Sequence, residues 1–306
     1  MSAKASEILR VDGHEVSVTR PEKILFPEDG ITKGDLIRYY QRISPWMLPH
    51  LKDRPLALQR FPDGIDQSGF FQKAIARYYP SWIRKVTVPK QGGAVTHVVC
   101  DDVATLVYLA NQACVTPHIW LSRVDKLEFP DQMIFDLDPS TEDLPAVLGA
   151  TLALKDVLDH LELPAFVKAT GSRGLHVCVP LDRGQNFDSV RAFARDVAEI
   201  VVSREPERYT LEQYKTKRRG RVFVDVNRNA YAQTAVATYA VRPRKGAPVS
   251  IPLQWTELRK KNFRPDGVTM QTVFERLERI EDPWKDFWRH AASLENARRN
   301  LQKRAT

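Results

Sequence analysis

Apolar and polar positions in this chain change period repeatedly, and the changes predict its elements. In the second half, residues 132–138 read as a strand, 143–161 as a helix, 165–169 as a strand, 170–174 as a loop, 175–179 as a strand, 187–203 as a helix and 221–226 as a strand. Strands interleaved with helices of these lengths predict an α+β (mixed α/β) fold. Nearer the N-terminus, Thr32-Lys33-Gly34-Asp35 has the form of a helix start, with Thr32 as N-cap and Asp35 in the first turn, ahead of Leu36, Ile37, Tyr40 and Ile43 at helical spacing. That helix is expected to end before Pro45. Residues 55–130 offer short strand-like runs at 56–60, 86–88 and 95–99 and a helical stretch from 103 to 113. The last fifty residues are helical by period and rich in both signs of charge. A division near residue 130 is expected, giving an N-terminal lobe (1–130) and a second lobe (131–306) that includes the C-terminal helices.

Two of the predicted strands push carboxylates out of apolar runs. In Ile134-Phe135-Asp136-Leu137-Asp138 the two aspartates share one face, because successive strand side chains point opposite ways. In Val222-Phe223-Val224-Asp225-Val226 the valines take the core side and leave Phe223, Asp225 and Asn227 on the other, where Asp225 can complete a three-carboxylate cluster. Hard oxygen donors without a thiolate suit Mg²⁺ or Mn²⁺ better than Zn²⁺. The Asp-x-Asp pattern alone leaves other readings open: a sugar-nucleotide transferase, an aspartyl-phosphate phosphatase strand, or two solvated strand-end acids.

Several polar segments favour a phosphorylated ligand. Thr170-Gly171-Ser172-Arg173-Gly174 is a small-residue loop running into a strand, so backbone N–H groups, hydroxyls and a guanidinium can converge on phosphate oxygens, with His176 just beyond. Arg242 and Arg244 stand at strand spacing around Pro243 and form a candidate clamp on β- and γ-phosphates. Lys215-Thr216-Lys217-Arg218-Arg219-Gly220-Arg221 is a dense basic turn ahead of Asp225. Lys23 and Lys33 flank a turn at the start of the first helix, where the helix end itself attracts an anion, and they read as a pocket for a terminal phosphate. Phe70-Phe71 follows a Pro-Asp-Gly turn, so one ring could be free to stack on a base while the other packs, although such a pair is more often wholly in the core.

Charge sharpens this picture. The formal charge of +8 points to a polyanionic partner, with nucleic acid ahead of an anionic membrane surface. No stretch approaches a membrane span and the first residues lack an apolar signal core, so a cytoplasmic protein is expected, and a nucleic-acid partner would make it nucleoid-associated. Cys100, Cys114 and Cys178 form no CxxC pair, and are read as reduced, buried thiols.

Taken in order, RPEKILFPEDGITKGDLIRYY, RFPDGIDQSGFFQK, LANQACVTPHIW, FDLDPS, TGSRGLHV, KTKRRGRVFVDVNRN and TAVATYAVRPRKGAPVSIPLQWTEL resemble the archaeo-eukaryotic primase superfamily, in the branch found as the polymerase domain of bacterial DNA ligase D. The resemblance implies a primase-polymerase fold, with an RRM-like mixed catalytic sheet flanked by helices and a second, N-terminal α/β lobe. It implies a DNA-directed nucleotidyltransferase that adds NTPs or dNTPs, preferably ribonucleotides, to primer 3′ ends at gaps and double-strand breaks in non-homologous end joining. By that resemblance Asp136, Asp138 and Asp225 are the catalytic ligands of two Mn²⁺ or Mg²⁺ ions. Thr170, Ser172, Arg173, His176, His118, Arg218, Arg228, Gln233, Thr234, Arg242 and Arg244 fall in nucleotide-binding motifs, with His118 near the sugar. Lys23 and Lys33 match a DNA 5′-phosphate pocket, and Phe70 and Phe71 match template-stacking aromatics. A monomer working with DNA, a DNA ligase and Ku is the implied setting. The initiator Met favours a stand-alone member, and the chain departs from the family pattern at Val226-Asn227 and Thr238. A phosphatase or nucleotidyl hydrolase, and a non-catalytic DNA-end scaffold, are the competing readings.

Overall fold

The computed structural model describes residues 7–305 of the chain. Its elements run β1 (Glu7–Val11), β2 (His14–Val18), β3 (Ile24–Phe26), β4 (Ile31–Thr32), α1 (Lys33–Leu51), β5 (Leu56–Arg60), β6 (Phe70–Gln72), β7 (Lys85–Lys90), β8 (Gly93–Val98), α2 (Val103–Asn111) and β9 (Cys114–Trp120). They continue with β10 (Gln132–Asp138), α3 (Leu144–His160), β11 (Phe166–Ala169), β12 (Leu175–Pro180), α4 (Phe187–Arg204), β13 (Tyr209–Thr210), β14 (Val222–Asp225), β15 (Thr234–Val236), β16 (Ile251–Leu253), α5 (Val273–Arg279) and α6 (Leu294–Ala305). No helix among the described residues is long and apolar enough to cross a membrane.

The chain forms two compact units. The first takes the residues up to Trp120 together with Thr234–Ser250 and Thr269–Phe274, and the second takes Leu121–Gln233, Ile251–Val268 and the residues from Glu275 onward. The sequence suggests one cut near residue 130. The chain instead crosses at Trp120 and later returns, because β15 pairs antiparallel with β9 and carries the 234–250 segment back with it. A long-range strand pairing of this kind leaves no local trace in a hydrophobicity pattern.

In the first unit a four-stranded sheet, ordered β15-β9-β5-β6, lies with α1 and α2 and three small hairpins. Helix α1 starts as its sequence predicts: Asp35 N donates to Thr32 Oγ1 (3.1 Å), and Thr32 N donates to Asp35 Oδ2 (2.8 Å), a reciprocal capping box. It does not end before Pro45. Pro45 removes the N–H that Gln41 O would accept, and the Ser44 hydroxyl donates to that carbonyl instead (2.8 Å). Met47 and Leu51 then keep the buried stripe of Leu36, Ile37, Tyr40 and Ile43 going. Each such side chain removed from water contributes roughly 1.5–3 kcal/mol, which offsets the local cost of Pro45 and of Pro49, the second proline inside the helix.

The second unit is built on six strands in the order β13-β14-β10-β12-β11-β16. Its central four follow the path β10-α3-β11-β12-α4-β14 and pair antiparallel in the order β14-β10-β12-β11, the arrangement of an RRM-like sheet. β13 adds to one edge in parallel, so the sheet is mixed, and β16 closes the other edge. Phe135, Leu137, Val167, Leu175, Val177 and Val224 line one face and are fully buried, and α3 and α4 pack on this sheet. Alternation along the strands leaves the polar residues of β10, β12, β11 and β14 on the opposite face. The C-terminal residues pack within this unit: Trp284 Nε1 donates to Val167 O (3.2 Å), Phe287 is buried, and Leu294 and Ala297 of α6 are buried. All three cysteines are free and buried, and burial pushes the Cys114 and Cys178 thiols up to about 12.

Candidate active site

A row of charged side chains crosses the polar face of the second unit's sheet. Register sets Asp225 of β14 opposite Asp136 of β10, Asp136 opposite His176 of β12, and His176 opposite Lys168 of β11. Asp138 lies one step further along β10 on the same face, opposite Phe223. The period-two pattern of β10 thus puts Asp136 and Asp138 on one surface, and antiparallel pairing brings Asp225, distant in sequence, to them.

The charged and polar groups of the row lie close together. His176 Nε2 lies 3.3 Å from Asp136 Oδ1, and Arg228 Nε lies 3.2 Å from Asp136 Oδ2 and 4.0 Å from Asp225 Oδ2. Asn227 N donates to Asp225 Oδ1 (2.8 Å). Burial works against the charge on Asp136, but His176 and the Arg228 guanidinium more than offset it and hold its carboxyl below the ordinary range. Burial also pushes His176 down, with Lys168 and Arg228 adding to the effect, so the imidazole is neutral near pH 7. Its Nε2–H then faces Asp136, which agrees with a buried Nδ1 that has no hydrogen-bond partner among the described residues. Asp225 is pushed up, first by burial and then by the Asp136 charge beside it. Two acids held together with less than matching positive charge favour a further cation.

Asp138 is engaged elsewhere. Arg218 Nη1 donates to its Oδ2 (2.8 Å), while Arg218 Nε and Nη2 donate to Glu212 O (3.1 Å) and Gln213 O (2.9 Å), and the guanidinium lies 4.3 Å from the centre of the Phe223 ring. Among the described residues no three carboxylate, thiol or imidazole groups converge as a ready-made metal cluster. The donor chemistry nonetheless fits a hard divalent ion: two aspartates face each other across β10 and β14, and Asp138 shares their face. For Asp138 to share in holding such an ion, its carboxylate would exchange Arg218 for it.

The loop before β12 is fixed by its own residues. Thr170 Oγ1 donates to Gly174 O (2.9 Å), and a Cβ at Gly174 would stand 2.4 Å from Leu137 O, so only glycine lets this loop press against β10. Thr170 therefore closes the loop, Ser172 is half-buried, and Arg173 is exposed at its tip. Gln233 is exposed at the end of the second unit.

The remaining candidates lie in the first unit. Thr234 begins β15 opposite Trp120, and His118 of β9 pairs with Val236 and meets the Phe71 ring edge-on at 5.1 Å between centroids. Arg242 and Arg244 are not at strand spacing: Arg244 N donates back to Arg242 O (2.8 Å), so the backbone turns at Pro243, leaving Arg242 half-buried and Arg244 exposed. The same turn is tied to the residues after β3, through Lys245 Nζ to Glu28 Oε2 (2.5 Å) and Gly246 N to Asp29 Oδ2 (2.8 Å). Lys33 is buried, donates to Thr19 Oγ1 (3.1 Å), and is lowered to about 8 by burial and by the charges of Arg20 and Lys23. Lys33 N donates to Lys23 O (2.8 Å), and Lys23 Nζ pairs with Asp63 (2.8 Å). Both Phe70 and Phe71 are exposed, where the sequence suggested one exposed ring or two core rings.

Two residues that build the row escaped the sequence analysis. Lys168 is 1% exposed, and its signal was available: like the aspartates of β10, it is a charge in an apolar strand. Asn229 is fully buried; its Oδ1 accepts from Ile134 N (2.8 Å), and its Nδ2 donates to Ile134 O (2.7 Å) and Val226 O (2.9 Å). A side-chain amide thus replaces the strand partner β10 loses where β14 stops at Asp225, and the chain can turn to bring Arg228 back to both acids. No local pattern marks such a role.

Residues 32–284 match the family described as LigD, primase-polymerase domain. The chain is 32% identical over 276 residues to the multifunctional non-homologous end joining DNA repair protein LigD of Mycobacterium tuberculosis, covering 87% of this chain and 36% of that protein. It is 29% identical over 278 residues to the bifunctional non-homologous end joining protein LigD of Bacillus subtilis, covering 90% and 44%. The chain thus spans well under half the length of these curated relatives. Among solved structures it is similar to the polymerase domain from Mycobacterium tuberculosis ligase D in complex with DNA, with a TM-score of 0.84 and 30% identity, covering 90% of this chain and 99% of that one.

Proposed function

This chain belongs to the LigD primase-polymerase domain family and is an enzyme of the nucleotidyltransferase class, and from that premise we propose that it extends primer 3′ ends under template direction at gaps and double-strand breaks. The observation that carries this reading is the half-buried Asp136–Asp225 pair, set opposite each other by register and extended along one row by His176. Asp136, Asp138 and Asp225 would hold two Mn²⁺ or Mg²⁺ ions, whose charge would acidify the primer 3′-hydroxyl and offset charge on the α-phosphate.

The chain's own residues supply the rest. Arg228 keeps Asp136 ionised, and neutral His176 orients it by donating from Nε2. Arg218 holds Asp138 until the carboxylate is needed. The loop closed by Thr170 presents Ser172 and Arg173 to phosphate oxygens, and Arg228, Gln233, Thr234 and His118 complete the proposed nucleotide contacts. Arg242 and Arg244 are the pair proposed for the leaving pyrophosphate, Lys23 and Lys33 for a DNA 5′-phosphate, and Phe70 and Phe71 for the template. Catalysis then rests on positioning and charge compensation. A preference for ribonucleotides, action in end joining beside a DNA ligase and Ku, a monomeric state and a place at the nucleoid belong to the same proposal.

Purified protein given a gapped duplex, labelled UTP and Mn²⁺ tests it. Extension by the template-matched nucleotide, stronger with UTP than with dTTP, is the expected result. Nucleotide hydrolysis without a template would favour a phosphatase, and DNA retention without turnover a scaffold; either would overturn the polymerase reading.

A further inference from the structure

β6 is an edge strand of the first unit's sheet, and the stretch from Phe70 to Tyr78 holds three rings out to solvent: Phe70 is 47% exposed, Phe71 53% and Tyr78 62%. Tyr78 is the most exposed of them and belongs to none of the motifs discussed above. Its hydroxyl is held by a side chain of the sheet. Arg60 Nη1 donates to its hydroxyl (3.2 Å) and to Gln72 Oε1 (2.6 Å), while Arg60 Nε donates to Gln112 O (2.7 Å). The same guanidinium lies 5.5 Å from the centre of the Phe70 ring, so one arginine links two of the exposed rings.

Behind Tyr78 runs a continuous series of rings. Tyr78 meets Tyr79 at 5.3 Å between centroids, Tyr79 meets Tyr108 at 5.0 Å, Tyr108 meets Trp82 at 6.1 Å, and Trp82 stacks on His14 at 4.4 Å. Tyr79 is buried, so Tyr78 is the solvent end of a packed aromatic run. A ring held from behind and by its hydroxyl loses little conformational freedom when something stacks on its open face. Arg77, its neighbour in the chain, and Lys73, just past the end of β6, are both exposed.

Flat apolar rings spaced among cations match a ligand with flat apolar groups on a polyanionic backbone. Single-stranded nucleic acid has that form; a duplex hides its base faces within the stack. We propose that Tyr78, organised by Arg60, is a base-stacking station for single-stranded DNA, additional to the two phenylalanines, with Lys73 and Arg77 contacting the adjoining phosphates. The choice of DNA as partner rests on the polymerase function proposed above.

The test is fluorescence anisotropy with labelled oligo(dT) and, separately, a blunt duplex of equal length, without nucleotide or divalent ion. Tyr78→Ala is expected to weaken oligo(dT) binding roughly five- to tenfold, as loss of one stacked base implies, and to leave duplex binding within about twofold. Tyr78→Phe and Tyr78→Trp keep the ring and are expected to bind oligo(dT) within about twofold of the parent, which separates stacking from misfolding. A 2-aminopurine base in the oligonucleotide should be quenched on binding the parent protein and less so on binding Tyr78→Ala. Unchanged oligo(dT) affinity in Tyr78→Ala, an equal loss on duplex, or a loss in Tyr78→Phe as large as in Tyr78→Ala would each overturn the proposal. Gap extension is measured in parallel: a parent protein that fails to extend defeats the polymerase reading and leaves the stacking result to be judged on its own.

Discussion

The carboxylate row of the second unit and the cationic, aromatic surface of the first are built on opposite terms. In the row, Asp225, Asp136, His176 and Lys168 occupy neighbouring strands at fixed register, and His176 and Lys168 are buried. On the first unit, Lys23 already pairs with Asp63, Lys33 is buried beside other cations, and the rings of Phe70, Phe71 and Tyr78 stand in solvent. The first arrangement cannot change without breaking a sheet, so its substitutions should act on the chemical step. The second is tuned by single side chains, so its substitutions should act on which DNA is bound.

The largest separation is expected from the acids. Asp136→Ala or Asp225→Ala should lower primer extension by roughly 10⁴-fold, as loss of a catalytic group does, with DNA affinity intact by gel shift; near-normal extension by either would dissolve the contrast. Next comes Asn229, which touches no ligand in the proposal yet supports the row. Asn229→Ala leaves Ile134 N, Ile134 O and Val226 O without their partner, and should destabilise the protein by about 2–4 kcal/mol in urea unfolding. Its loss of extension should not add to that of Arg228→Ala, because both act on the same acids. Fully additive losses would separate the two residues.

A smaller, conditional effect is expected on the first unit. Replacing Lys23 and Lys33 together should remove the advantage of a 5′-phosphorylated gap, a loss of about tenfold, and leave unphosphorylated gaps alone. That advantage should also depend on pH. Lys33 is lowered to about 8, so it is charged below that pH and increasingly neutral above it. A 5′-phosphate favours the charged form, so its benefit should hold up to about pH 8 and then decline as binding must take up a proton. A benefit flat from pH 7 to 9.5 would contradict the pocket.

What the sequence reveals follows the same divide. Asp136, Asp138 and the covered side of β10 were legible because a strand's period assigns faces by itself, and Thr32 and Asp35 because a cap is read over four residues. The continuation of α1 through Pro45 was not, since it depends on Ser44 serving a carbonyl and on packing far along the chain. Nor was the return of 234–250 to the first unit, set by pairing with β9, or the turn that takes Arg244 out of register with Arg242. Asn229 is the clearest case: its worth lies in three backbone groups at residues 134 and 226, and nothing near it in the chain announces them.

The claim on which the rest depends is that the β10 and β14 acids are a divalent-ion site. Titration of the protein with Mn²⁺, followed by the loss of free-ion EPR signal, measures this without DNA or nucleotide. The parent protein should bind Mn²⁺, and Asp136→Asn and Asp225→Asn should each weaken binding at least about tenfold while remaining folded by circular dichroism. Equal Mn²⁺ affinity in all three proteins would contradict the account.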